Sequence, residues 1–383
     1  MNRDFVYNYL SKRDTALSRE DQEKLRDQIF DLKKNAAARL AELVEKAKNK
    51  LEQAGAKVYV VKDNIAATAL IKELVGSSQA VKSKSNTLDK LSLKEILGDK
   101  LTETDLGAYI VSQIGGDSDH PVLPAIDLRV EEIVARFKQK GIDLPANPKE
   151  LVNKLKTVIR EKILSAEVGL TGVNAVTADG QIMLLENEGN ISLITRLPKL
   201  HIAVANVEKV VASYDDAIKI AKAAAVWGTG QSWTSYVSFI GGPSQTADIE
   251  NELITGVQGA QDLAVILIEG QSYKKVGTEL ESMLYCIHCG ACYNLCPAWN
   301  LTLTMPKVSN NKTNSTCTLC QNCTVNCPAK IDWQNITRVY REKFTAEGKI
   351  SEVNAKMLKN LKHYGNPFGE VPEGATPDEL FCC

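Results

Sequence analysis

Apolar positions between residues 17 and 55 recur with a helical period: Leu25, Ile29, Leu32, Ala36, Leu40, Leu43, Ala47 and Leu51 fall on one stripe. Ser18 with Asp21 is a start signal and Gly55 a stop, so the pattern predicts one long amphipathic helix. Beyond it the period alternates. "KVYVV" (57–61) reads as a strand, "DNIAATALIKELV" as a helix, and "QAVKS" and "LTETDL" as strands. A helix is predicted over 147–164, capped by Asn147, with Pro148 in its first turn and Leu151, Leu155, Val158 and Ile159 on one face. From 173 to 206 the segments "VNAVTA", "QIMLLE", "ISLIT" and "HIAVAN" read as short strands, and "SYVSFI" and "LAVILIEG" as buried ones. This alternation predicts an α/β domain over 56–272 behind a helical arm at 1–55. The loop "EGQSYKKVG" leads into a second region, 273–345, in which "IDWQNITRVYREKFTAEG" predicts a helix. Gly and Pro near the end predict an extended tail within 346–383.

At 383 residues the chain has room for two or three domains. Its 46 basic and 47 acidic residues nearly cancel, so composition points to neither nucleic acid nor an acidic tail. The start, "MNRDFVYNYLSKRD", lacks the apolar core of a signal peptide, and no run of eighteen apolar residues suggests a membrane span. A cytoplasmic location is the expectation.

The cysteines change this picture. Eight of the ten lie between residues 286 and 327, and none precedes them. Cys286, Cys289, Cys292 and Cys296 are spaced C-x2-C-x2-C-x3-C-P, and Cys317, Cys320, Cys323 and Cys327 repeat that spacing before Pro328. Disulfide frameworks seldom keep so strict a period. Zinc is the competing reading, but its sites use C-x2-C pairs and have no need of a third cysteine at fixed spacing. The repeated run is that of two-cluster ferredoxins, in which the fourth cysteine of each run serves the other cluster. Two [4Fe–4S] clusters are therefore expected. Cys286, Cys289, Cys292 and Cys327 would hold one, and Cys317, Cys320, Cys323 and Cys296 the other.

The α/β region offers candidate ligand contacts. "VKSKSN" (81–86), with Lys82 and Lys84, follows a strand, where sheet proteins commonly bind ligands, although a solvated turn would look the same. "GLTGVN" (169–174) and "LLENEGN" (184–190) are glycine-spaced turns, contributing Gly172, Asn174, Glu186, Glu188, Gly189 and Asn190. Glu186 and Glu188 would share a side of an extended segment and could do acid–base work, or could simply face solvent. His201 reads as a structural histidine, and His288 as a neighbour of the cysteines rather than a ligand. No G-x-G-x-x-G fingerprint is present.

The stretches "AVKSKSNTLDKLSLKEIL", "LTETDLGAYIVSQIGG" and "EKILSAEVGLTGVNAVTADGQIMLLENEGNISLITRLPKLHIAVANVEKVV", followed by the cysteine runs, resemble the lactate-utilisation iron–sulfur protein family (LutB/LldF type) over roughly residues 15–340. The resemblance implies an N-terminal LUD domain, similar to the NagB/RpiA/CoA-transferase class, and a small, mainly α-helical dicluster ferredoxin domain. The connection between Cys296 and Cys317 is shorter than the family pattern, which leaves a compact βαβ ferredoxin as the alternative. "HYGNPFGE" (363–370) resembles a segment of heterodisulfide-reductase-like CCG oxidoreductases. The resemblance implies a subunit of a redox complex that relays electrons from lactate or a similar 2-hydroxy acid, with a CCG-domain iron–sulfur subunit as partner. Because the clusters take one electron at a time and the acid gives two, a flavin-bearing subunit is a further candidate partner. The alternatives are a docking or ligand-sensing LUD subunit whose clusters only relay electrons and, on fold analogy alone, acyl or CoA transfer.

Overall fold

Two strands buried on both faces organise the larger part of the chain. In Leu200–Asn206, Ala203 and Ala205 pack into one core while Ile202 and Val204 pack into another; in Asp262–Ile268, Leu263, Val265 and Leu267 alternate in the same way with Ala264, Ile266 and Ile268. Period-two alternation with both faces apolar is what a covered parallel sheet demands. The computed structural model describes residues 3–114, 128–302, 305–372, 374 and 376. His120, Cys382 and Cys383 lie outside these.

In chain order the strands are β1 (Lys57–Val61), β2 (Ala80–Lys82), β3 (Leu101–Glu103), β4 (Val168–Gly172), β5 (Ala175–Thr177), β6 (Gln181–Glu186), β7 (Leu200–Asn206), β8 (Val210–Val211), β9 (Tyr236–Ile240), β10 (Gln245–Thr246), β11 (Ile254–Thr255) and β12 (Asp262–Ile268). Six form a parallel sheet in the order β1-β12-β7-β4-β2-β3. A second sheet, β8-β5-β6-β9, packs its Val176, Ile182, Leu184 and Val210 into the core on one side. The helix Asn64–Val75 and the turns carrying Leu88, Leu91, Leu93 and Leu97 cover the other. The helix Pro148–Ser165 buries Leu151, Leu155, Ile159 and Ile163 in a third cluster.

The N-terminal arm is three helices rather than one: α1 (Arg3–Ala16), α2 (Arg19–Ala38) and α3 (Leu40–Gln53). Arg39 leaves helical geometry at φ −113° and ψ 22°. The buried stripe runs through this break from Ala36 to Leu40 and Leu43, so periodicity alone could not reveal it. The stripe also passes through Lys33 rather than the predicted Leu32.

"ISLIT" is a helix, Asn190–Ile194, and not the predicted strand. Its β-branched residues favour a strand, but Gly189 turns the chain at φ +84° and the Glu186 carboxylate accepts the Ser192 backbone N–H at 2.9 Å, which satisfies an orphan amide of the first turn. Tyr214–Thr229 is a further helix that the strand pattern leaves out. It is capped by Ser213, rich in alanine and stopped by Gly230 at φ +69°.

Close approach at Gly169 on β4 ties the helix Asn190–Ile194 to the sheet. A Cβ there would lie 1.8 Å from the Ile194 carbonyl oxygen. Gly169→Ala is expected to cost about 1–3 kcal/mol by overpacking, read as a lowered urea midpoint. An unchanged midpoint would refute the packing described.

The chain divides into two compact units, 1–296 with 322–331, and 297–321 with 332–383. Residues 273–296 and 322–331 thus belong with the α/β core, and the expected independent cysteine domain is split. From 273 onward every regular element among the described residues is helical. In the second unit the helix Trp333–Ala346 packs against Asn311–Asn314, and Arg341 donates to the carbonyl oxygens of Asn314 and Cys317 at 2.8 and 2.7 Å. Glu352–Tyr364 is helical, so the expected extended tail can begin only after it.

Candidate functional site: the cysteine loops and the carboxyl edge of the sheet

Each cysteine run builds the same local turn. His288, two residues after Cys286, has φ +57° and directs its backbone N–H to the Cys286 sulfur at 3.4 Å; Leu319, two residues after Cys317, has φ +54° and does the same to Cys317. Gly290 and Gln321 follow at φ +82° and +68°, and each opens a short helix carrying the third cysteine of its run. The left-handed residues fold the chain back on the first sulfur and point an amide at it, as a thiolate requires.

The first run is held by the N-terminal helices and by Tyr214–Thr229. Tyr285 packs edge-on against Phe30 of α2 with ring centroids 5.7 Å apart. The Asn294 side chain donates to the Gly228 carbonyl at 3.3 Å, and a Cβ on Gly228 would stand 3.0 Å from the Cys289 carbonyl oxygen. The Tyr9 hydroxyl of α1 donates to the Trp227 carbonyl at 2.7 Å.

Cys327, from the second run, joins this group. Arg26 of α2 donates to its carbonyl at 3.1 Å, and the Asn322 side chain donates to the Leu295 carbonyl at 3.4 Å. Burial pushes the Cys286 thiol up to about 11, and the neighbouring Cys327 adds to the shift. Burial likewise raises Cys289 and Cys292, with Cys327 again among the neighbouring charges. Cys286, Cys289, Cys292 and Cys327 therefore lie within reach of one another's charges in the first unit, and Cys323 also acts on Cys292. Cys296 and Cys323 belong to that unit as well, while Cys317 and Cys320 belong to the second. Four soft sulfur donors are a set that an iron–sulfur cluster or zinc could take. Among the described residues no three His, Cys, Asp or Glu side chains are grouped as a single-ion site.

Two lysines are buried beside the first run. Lys33 of α2 donates to the Glu208 carbonyl oxygen, and Lys209 donates to the Val173 carbonyl at 2.7 Å and to the Thr87 hydroxyl at 3.0 Å. Burial pulls both ammonium groups down to about 8, opposed by the charges of Glu208 and Cys286. A buried cation carries an effective penalty of several kcal/mol unless an anion faces it.

Lys209 also reaches the carboxyl edge of the large sheet, where the other candidates lie. Lys82, at the end of β2, is 4% exposed and lies 2.8 Å from both Asp89 and Glu103. Burial lowers its affinity for a proton, but the two carboxylates outweigh that and hold it above the usual lysine range. Lys84 is lowered chiefly by burial, and burial also raises Glu188, with Asp105 adding to it. Asn190 donates to the Thr104 hydroxyl at 3.1 Å. Gly172 lets Ser85 lie against β4, since a Cβ there would overlap its hydroxyl at 1.7 Å. Asn174 accepts the Leu185 backbone N–H at 3.0 Å, and Glu186 is engaged by Ser192. Lys82, Asn174 and Glu186 make internal bonds, as Asn190 does to Thr104. Lys84, Glu188 and Asn190 lie with Glu103, Thr104 and Asp105 around the ends of β2 and β3.

His201 accepts or donates at 2.7 Å with the Thr171 hydroxyl, and burial pulls it down to about 3. Its folded value lies below the unfolded one of about 6.5, so the unfolded state holds the extra proton between those values. Stability is complete above the upper value and falls as pH drops through the window, by about 1.4 kcal/mol per pH unit. His201→Gln is expected to flatten this dependence in urea titrations from pH 7 to 4. An unchanged slope would contradict a buried neutral His201.

Lys33, Lys209, Arg26, Thr87 and Asp105 were not among the residues predicted. Lys33 was legible, because a lysine in register with Ile29 and Ala36 on an apolar stripe invites a reason for its burial. Lys209 follows a short turn and has no such local mark.

The LUD domain family model matches residues 44–268, which places the parallel sheet and its cover within a LUD domain. Lactate utilization protein B of Shouchella clausii is 32% identical over 81% of this chain and 70% of its own length; that of Macrococcus caseolyticus is 28% identical over 88% and 75%. The Bacillus subtilis protein of the same name is 33% identical over 64% of this chain and 51% of its own length. A DUF162 family protein from Deinococcus radiodurans aligns in structure with 60% of this chain and 98% of its own, at 13% identity and a TM-score of 0.34. The chain belongs to the LUD-domain proteins and, within them, to the lactate-utilisation (LutB/LldF) family. No described helix is long and apolar enough to cross a membrane.

Proposed function

We propose that this chain is the iron–sulfur electron-transfer subunit of a complex that oxidises lactate or a similar 2-hydroxy acid. The observation that supports this reading is the packing of Asn322–Val325 of the second run against Ala291–Asn294 of the first, which sets Cys327 among the groups whose charges act on Cys286, Cys289 and Cys292. Cys286, Cys289, Cys292 and Cys327 would hold one [4Fe–4S] cluster, and Cys317, Cys320, Cys323 and Cys296 the second. Such clusters supply one-electron transfer when bound. The chain's own residues prepare the first site. The His288 amide is aimed at the Cys286 sulfur, Arg26 anchors the Cys327 backbone, and buried Leu284, Ile287, Ala291 and Leu295 exclude water. A hydroxy acid gives up two electrons, so a partner with a flavin or a CCG-held centre is needed to divide the pair. Lys84, Glu188 and Asn190 are the residues we assign to a small-acid site at the carboxyl edge of the sheet.

A second reading is favoured by the internal bonding of Lys82, Asn174, Glu186 and Asn190, which engages four of the candidate contacts. In it the LUD domain docks or senses a ligand, and the clusters relay electrons between other subunits.

The test is anaerobic purification from the native host, identification of co-purifying chains, and addition of lactate to both the isolated chain and the assembled particle. Bleaching of the cluster absorbance in the isolated chain supports a substrate site in the LUD domain. Bleaching only in the assembly supports the relay. No bleaching in a complete assembly removes lactate from the proposal.

A further inference from the structure

Like charges seldom share a buried pocket unless something anionic is to lie between them. Lys33 comes from α2 and Lys209 from the turn after β7, yet both are buried, and the charge of Lys33 acts against that of Lys209. With Lys90 they also act on the His288 ring, whose Nε2 is buried without a hydrogen-bond partner. The carboxylate among the charges acting there is Glu208, and its side chain already accepts the Ser272 hydroxyl at 2.7 Å. Lys33 follows Phe30 by one turn of α2, and the Phe30 ring packs on Tyr285, the residue before Cys286, at 5.7 Å; the Cys286 thiol is the other charge that acts on both lysines. Three cations thus oppose one carboxylate around the loop that carries the first cysteine.

Building on the cluster assignment above, we propose that Lys33 and Lys209 are the fixed counter-charge of the cluster held by Cys286, Cys289, Cys292 and Cys327, and that they favour its reduced form. Four thiolates make that group anionic, and reduction by one electron adds one negative charge with no bond formed or broken. Two ammonium groups shielded from solvent stabilise the added charge far more than exposed ones do. They are positioning residues, because their effect passes through the field and not through ligation. Each is anchored by a backbone carbonyl, Glu208 for Lys33 and Val173 for Lys209, so the charges cannot swing away when the electron arrives.

The test is an anaerobic redox titration of the full-length protein, with dithionite as reductant and electron paramagnetic resonance as readout. Lys33→Met and Lys209→Met are each expected to lower the reduction equilibrium constant of this cluster about tenfold, or about 59 mV for one electron. Lys209→Arg is expected to restore the value, and Lys90→Met, at an exposed position, to move it less. Glu208→Gln leaves both lysines in place and is expected to shift the potential upward, which keeps the proposal testable should a lysine variant fail to fold. Unchanged potentials in Lys209→Met and Glu208→Gln, with iron content intact, would overturn the inference. Absence of any cluster signal in the unmodified protein would instead overturn the cluster assignment on which it rests.

Discussion

Cys327→Ser is expected to abolish the same cluster signal as Cys289→Ser, although the two residues belong to different runs separated by the whole connection from 297 to 316. Each variant should lose about four of about eight irons per chain and leave the other cluster's resonance in place. Cys317→Ser and Cys320→Ser should remove the complementary half. The physical reason is the fold of the first unit, in which Asn322–Val325 packs against Ala291–Asn294 and Arg26 pins the Cys327 carbonyl. If Cys327→Ser behaved like Cys317→Ser, each run would serve its own cluster and the exchange would be wrong. Serine is the appropriate replacement, being nearly the same size, so lost iron reports lost ligation rather than a cavity.

Lys82→Met is expected to give the largest loss of stability outside the cysteines, about 3–5 kcal/mol, because it strands two carboxylates at the sheet edge. Glu103 is 19% exposed at its side chain and bears most of that cost; Asp89 is 42% exposed and is partly relieved by solvent. Urea denaturation of Lys82→Met, followed by the far-ultraviolet signal of the α/β core, measures this directly. Adding Glu103→Gln should recover part of the loss, since the stranded charge is then gone. A loss below about 1 kcal/mol would place Lys82 among ordinary surface ion pairs and reopen it as a ligand contact.

The cysteine runs and the sheet edge differ in how much of their chemistry the sequence displays. Strict cysteine spacing is a local signal that points to one chemistry, and Cys286, Cys289, Cys292 and Cys327 all belong to the first unit. The buried strands were equally legible, because both-face apolar runs such as "LAVILIEG" have few alternatives. Ligand contacts at the sheet edge were not. "VKSKSN" displays two lysines in the sequence, but only the fold reveals that β3 lies beside β2 and brings Glu103 to neutralise one of them. Glu186 stood among the candidate ligand contacts, and its partner Ser192 belongs to a segment whose β-branched residues concealed a helix. Arg39 went unseen because a helix can break while its buried stripe continues. The division of the cysteine region between two units has no sequence signature, since it depends on contacts made by α1, α2 and Tyr214–Thr229 across hundreds of residues.

The most direct measurement is the count of iron and acid-labile sulfide in protein purified without oxygen, together with zinc on the same sample. Two [4Fe–4S] clusters require about eight irons and about eight sulfides per chain, little zinc, and a resonance that appears on reduction with dithionite. Zinc in place of iron, without labile sulfide, would contradict it and turn the cysteine loops into structural metal sites.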